Sequence, residues 1–154
     1  MNETQEYRKN LLDRLLAAAH EFRDRCLQVK DDKAPLTTGS WDLHQIIVHV
    51  RDVDRHVYGL RARRILTEKK MPVFQNFDGD AWMEQHYDPK EDTGAMIAEY
   101  TARIDELVKM LSPLPDSTWS KPGRHVQIGE KTLQWWVERS LAHLEEHLDT
   151  VKKG

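Results

Sequence analysis

Two histidines four residues apart, His143 and His147, sit in the run Ser140-Leu-Ala-His-Leu-Glu-Glu-His-Leu-Asp149 near the end of the chain. On a helix, four residues rise about 6 Å and overshoot one full turn by only about 40°. Both imidazoles then leave the same face, one turn apart, which is a bidentate spacing for a metal ion. A third nitrogen from a neighbouring helix would make an open three-histidine site, with one coordination position left for water or substrate. His49, in the middle of another apolar-periodic stretch, is the candidate third ligand. The pair is not the His-Glu-x-x-His motif of zinc peptidases, because Leu144 follows the first histidine. A lone histidine at the edge of an apolar stripe is more often satisfied by a carboxylate, a carbonyl or water. The paired spacing is what raises the metal reading above that alternative.

Four long segments with helical period must position these side chains. The first spans about Thr4 to Val29, with Leu11, Leu12, Leu15, Ala19, Phe22 and Cys26 recurring at steps of three and four. The second starts at Asp42, an N-cap with Gln45 in capping-box position, and carries Ile46, Val50, Val53, Val57 and Leu60 to about Glu68. Asp88-Pro89-Lys-Glu91 reads as the start of the third, whose stripe is Ile97, Tyr100, Ile104, Leu107 and Leu111, and Pro113 and Pro115 end it. The fourth begins near Thr132 and presents Val137, Leu141, Leu144, Leu148 and Val151. His143 and His147 fall on the shoulder of that stripe, and His49 on the shoulder of the second. An all-α four-helix bundle follows.

Between the second and third helices, Lys69 to Tyr87 reads as a long connection rich in aromatics (Phe74, Phe77, Trp82 and Tyr87) that packs over one end of the bundle. Trp119 to Glu130 holds Pro122, Gly123 and Gly129, with a short extended piece expected at His125-Val-Gln-Ile128 and no series of strands anywhere. The 154 residues suit one domain spanning 1–154. Charged residues make up 32% and hydrophobics 39%, with a net charge of -3 and interspersed signs. That balance gives no support for nucleic-acid binding, which wants a basic stripe. No apolar run reaches the ~20 residues of a membrane span. The single cysteine, Cys26, forbids an internal disulfide and reads as a small apolar helix residue. The polar N-terminus lacks a signal peptide's apolar stretch, so cytoplasm is the expected compartment.

Three motifs, in order, are similar to those of the DinB superfamily, the four-helix proteins that include the YfiT-like metalloenzymes. Trp41-Asp-Leu-His-Gln-Ile-Ile-Val-His-Val-Arg-Asp52 resembles its second-helix signature. Phe77-Asp-Gly-Asp-Ala-Trp82 resembles the aromatic and aspartate loop that follows, and Gly129-Glu-Lys-Thr-Leu133 with His143 and His147 resembles the start and ligand pair of the fourth helix. Gln45 stands where many members carry glutamate. The resemblance covers nearly the whole chain. It implies that His49, His143 and His147 form a metal triad, that the second and fourth helices are adjacent, and that the protein is a homodimer.

Three neutral imidazoles leave the charge of a divalent ion uncancelled, so a bound water ionises near pH 7 on zinc. The same position could hold a thiol as thiolate. The site therefore supports hydrolysis by metal hydroxide or transfer of a low-molecular-weight thiol to a small electrophile. The resemblance implies both, since relatives include thiol-dependent transferases and proteins named as hydrolases, and it favours thiol transfer. A metal-binding, stress-related protein without catalysis is the rival class. Zinc or nickel suits the donor set best, and iron or manganese is also admissible. Around the triad, Asp52 could orient a ligand or simply pair with Arg51 or Arg55, His56 could line the pocket or add a fourth ligand, and Trp82, Phe77 and Tyr87 could wall it. His44 is expected to be exposed, and His86 and His125 lie where they could cover the site. Trp135 and Trp136 cannot share one core face, so one is a candidate for a subunit interface. Arg124 is a possible anion contact, and Arg61-Ala-Arg-Arg64 reads as a charged helix face.

Overall fold

A computed structural model describes residues 1–37 and 39–154. The first helix, α1 (Glu3–Gln28), opens with a capping box in which Asn2 and Gln5 exchange hydrogen bonds. It buries Leu11, Leu12, Leu15, Ala19, Phe22 and Cys26, the stripe expected from the sequence. The second rod is continuous but not uniform: α2 (Leu43–Val53), a π-helical segment (Asp54–Tyr58), then α3 (Gly59–Thr67). Asp42 caps it as the sequence indicates, with Gln45 N donating to Asp42 Oδ1 at 2.8 Å and Asp42 N to Gln45 Oε1 at 2.9 Å.

The π segment corrects the expectation of one unbroken stripe to Leu60. A π turn holds one extra residue, which rotates everything after it by about 100° relative to an α-helix. Leu60 is consequently 40% exposed, while Arg61, Ala62 and Ile65 turn inward. The Arg61–Arg64 cluster is therefore no simple charged face. Arg61 is buried, its guanidinium 4.8 Å from the centroid of Trp136 and 5.5 Å from that of Phe74, and it donates to the Gln75 carbonyl at 2.9 Å. Gly59 makes room for the turn, since a Cβ there would lie 2.7 Å from the Asp54 carbonyl oxygen.

The aromatic connection after α3 is not a plain loop. It holds β1 (Val73–Phe74) and α4 (Gly79–His86), whose N-cap Asp78 accepts from Asp80 N and Ala81 N. The third rod, α5 (Thr93–Leu111), starts later than Asp88-Pro89 suggests. Asp92 is its N-cap, accepting from Ala95 N, and Asp88 instead closes a turn with Lys90 N. Its buried face is the expected one, including Ile97, Tyr100, Ile104, Leu107 and Leu111. A short α6 (Asp116–Trp119) buries Trp119.

Next comes a hairpin where none was expected: β2 (Pro122–His125) runs antiparallel to β3 (Gly129–Thr132), and β1 joins β2 in parallel. The turn, not a strand, occupies residues 126–128, and Gly129 takes φ +81. Gly123 faces Phe74 and Ile65 so closely that a Cβ would sit 2.7 Å from Phe74 Cζ, which explains the glycine. The last rod, α7 (Leu133–Lys153), is capped by Thr132.

The four rods form a bundle, with α1 packed on both α5 and α7, and α2 packed on both α5 and α7. The adjacency of α2 and α7 is what lets His49 meet the pair on α7. Trp136 enters the core, while Trp135 stays half-buried at a right angle to it, flanked by Lys131 and Arg139. No helix among the described residues is long and apolar enough to cross a membrane.

Candidate metal centre

His49, His143 and His147 converge. Each offers a ring nitrogen, and these three atoms all lie within 4.8 Å of one another. His49 Nε2 is 3.1 Å from His143 Nε2, and the ring centroids are 4.6 to 5.0 Å apart. The rings stand at 60° to 70° to one another, edge toward face, so they surround a point rather than stack. Around a tetrahedral ion with ligands at about 2.0–2.1 Å, neighbouring nitrogens lie about 3.3 Å apart. The separation of His49 Nε2 and His143 Nε2 is close to that spacing, and the His147 nitrogen lies within 4.8 Å of both. Burial disfavours the imidazolium form of all three: it lowers His143 to about 3 and His49 to about 4, helped by the neighbouring imidazole of His147, and it lowers His147 too. Neutral imidazole is the ligand form.

The surroundings fix the rings by packing. Trp41 lies against His49 with centroids 4.8 Å apart, and Tyr58, from the π segment, lies 5.6 Å from His143. Gly79, at the first turn of α4, approaches His49 so closely that a Cβ would lie 3.1 Å from His49 Cε1. A cavity of about 680 Å³ adjoins the cluster at His147, lined by Trp41, Gln45, Asp80, Met83, Glu84 and Tyr87 among others. Its size is that of a small-molecule site.

Asp52, His56 and Trp82 gather on the other side of α4. Asp52 is buried and both carboxylate oxygens are used, one by Arg51 Nε at 2.8 Å and one by Trp82 Nε1 at 3.2 Å. This pair with Arg51 is not a surface pair, since Arg51 is buried as well and reaches on to Glu91. His56 stacks on Phe77 and tilts against Trp82, and His86 stacks on the same indole with centroids 3.8 Å apart. None of the three lines the cavity; of the expected aromatic walls, Tyr87 does.

His44 is buried, contrary to expectation. Its Nδ1 meets the Tyr87 hydroxyl at 2.7 Å and its Nε2 the Glu91 carbonyl at 2.8 Å, which ties α2 to the segment before α5. His125 is buried in the sheet, where Nδ1 accepts from Gln127 N and so closes the hairpin. Burial raises the Cys26 thiol to about 12, which makes it unreactive. Trp41, Asp80 and Glu84 were not read as pocket residues. Trp41 stands outside the periodic stretch, and the eight residues of α4 are too few to show an amphipathic pattern.

The model of the DinB superfamily matches residues 2–151. The chain belongs to the DinB superfamily. No curated protein matches it. Among solved structures, YfiT from Bacillus subtilis is similar, with a TM-score of 0.83 and 19% identity over 99% of this chain and 86% of that one. YfiT is described as a probable metal-dependent hydrolase with an unusual four-helix bundle topology. At that identity the likeness shows the fold, and the DinB-type bundle expected from the sequence is the one observed.

Proposed function

We propose that His49, His143 and His147 hold a divalent metal ion, and that the protein is a metal-dependent enzyme which activates a small nucleophile for attack on a small-molecule substrate. The observation that carries this reading is the convergence of three half-buried imidazoles, whose surroundings disfavour the charged form, beside a cavity of about 680 Å³. Zinc or nickel fits three nitrogen donors best. When bound, such an ion supplies Lewis acidity that turns water, or a thiol, into a nucleophile near neutral pH.

The chain's own residues do the rest. His143 and His147 present their nitrogens from one face of α7, one turn apart, and His49 faces them from α2. Trp41 and Gly79 hold the His49 ring, so little reorganisation accompanies ion binding. Only His147 of the three reaches the cavity lining, so a substrate approaches from that side, between α4 and the start of α2.

Water is the first nucleophile to consider, because the cavity opens to solvent and because the structurally similar YfiT is described as a hydrolase. Thiol transfer, the reaction that the family resemblance favours, uses the same residues. The two separate in one assay on metal-loaded protein: release of nitrophenolate from a chromogenic ester in water, against consumption of an aryl halide with and without a small thiol. Metal-dependent ester turnover without thiol supports hydrolysis. Strict thiol dependence moves the assignment to transfer. Absence of both, in protein that holds its metal, overturns the enzymatic reading.

A further inference from the structure

The charges around the cavity are one-sided. Asp80 and Glu84 line it, and among the described residues no lysine or arginine does. The two acids are four residues apart on α4, so they project from one face of that helix. Both are exposed, and neither carboxylate is paired with a cation among the described residues. By contrast, Asp52 and Glu91 pair with Arg51, and Asp54 with Arg103. Trp41 and Tyr87 contribute aromatic walls to the same cavity. Carboxylates beside aromatic faces, without a competing side-chain cation, make the surroundings that an alkylammonium group prefers, through charge pairing and cation–π attraction.

We propose that this cavity selects substrates that carry an ammonium group: the cationic end lies against Asp80, Glu84 and the Trp41 and Tyr87 walls, while the reacting end faces His147. The proposal rests on the reading of the three histidines as a metal centre. An anion would be drawn to the ion but repelled at the cavity wall, whereas an amine-bearing molecule is favoured at the wall and leaves its other end free to reach the ion. The preference is modest in size because the carboxylates are exposed and screened by salt.

Cobalt-loaded protein tests this without any assay of turnover, since a thiol that reaches the ion changes the cobalt absorption spectrum. Three six-carbon thiols serve as probes, ending in an amine, an alcohol or a carboxylate. At low salt the amine is expected to bind about 5- to 10-fold more tightly than the alcohol, and the carboxylate most weakly. The preference should shrink to less than about twofold in the Asp80→Asn, Glu84→Gln double variant, and in wild type at high salt. Equal binding of the three probes overturns the proposal, as does a preference that survives in the double variant. Cobalt uptake is measured first on the same samples. Stoichiometric cobalt with no amine preference rejects the ammonium site and leaves the metal centre standing. No cobalt uptake rejects the metal centre and this proposal with it.

Discussion

His49 Nε2 lies 3.1 Å from His143 Nε2 although 94 positions separate the two residues in the chain. One nitrogen can donate to the other only if the rings are in complementary tautomers. A shared cation lets both point their lone pairs at one place, and His147 completes the arrangement from one turn along α7.

Acid should weaken the metal-free protein through these rings. His49 and His143 titrate at about 4 and about 3 when folded, against an ordinary value of 6.5. The unfolded chain therefore takes up these protons first as pH falls. Their contribution to stability is complete above about pH 6.5 and is lost progressively toward pH 4 and below. Melting temperatures of the metal-free protein from pH 7 to 4 should fall more steeply than those of a His49→Gln, His143→Gln variant. Parallel profiles would contradict the burial of neutral imidazoles.

Arg51 is the buried cation that pairs with Asp52, which in turn accepts from Trp82 Nε1. Arg51→Met removes the partner of a buried carboxylate and should cost about 3–5 kcal/mol in urea unfolding. Arg55, one turn on, pairs with Glu99 near the surface at 40% and 33% exposure. Arg55→Met should cost less than about 1 kcal/mol. Similar losses for the two variants would remove the distinction drawn between the pairs.

Two glycine substitutions should differ in sign. A Cβ at Gly123 meets the Phe74 ring and, at 3.2 Å, Ile65 Cδ1. Gly123→Ala therefore overpacks the contact between sheet and bundle and should destabilise by about 1–3 kcal/mol. At Gly94, in the first turn of α5, the nearest atom to a Cβ is Asp92 Oδ2 at 3.5 Å. Gly94→Ala should be neutral or stabilising by up to about 1 kcal/mol, from helix propensity alone. Denaturation midpoints of the two variants decide the matter, and a stable Gly123→Ala protein would show that Phe74 has room to move.

The helices and the His143 and His147 pair were legible because both are periodic. Leu141, Leu144 and Leu148 mark the buried face of α7, and the spacing of His143 and His147 places both on its shoulder. The adjacency of α2 and α7 came from the family resemblance, not from spacing. What escaped lacks a period. One extra residue in the π turn moved Leu60 out and Arg61 in, and nothing in the local pattern marks it beforehand. The strands Pro122–His125 and Gly129–Thr132 contain proline, glycine and charges in place of alternating apolar residues, and they are held by Phe74 and Trp136 from distant segments. His44 is two residues past a helix cap, a place that looks solvated until Tyr87 and the Glu91 carbonyl arrive from forty-odd residues away.

Metal analysis is the most direct test of the central claim. The protein is purified without a polyhistidine tag, and its metal content is measured by mass spectrometry beside that of His143→Ala. The expected result is about one equivalent of a divalent transition metal in the wild type, lost in the variant, with a melting temperature that drops on addition of a chelator. Protein free of metal after incubation with zinc and nickel, with a melting temperature indifferent to chelator, would contradict it.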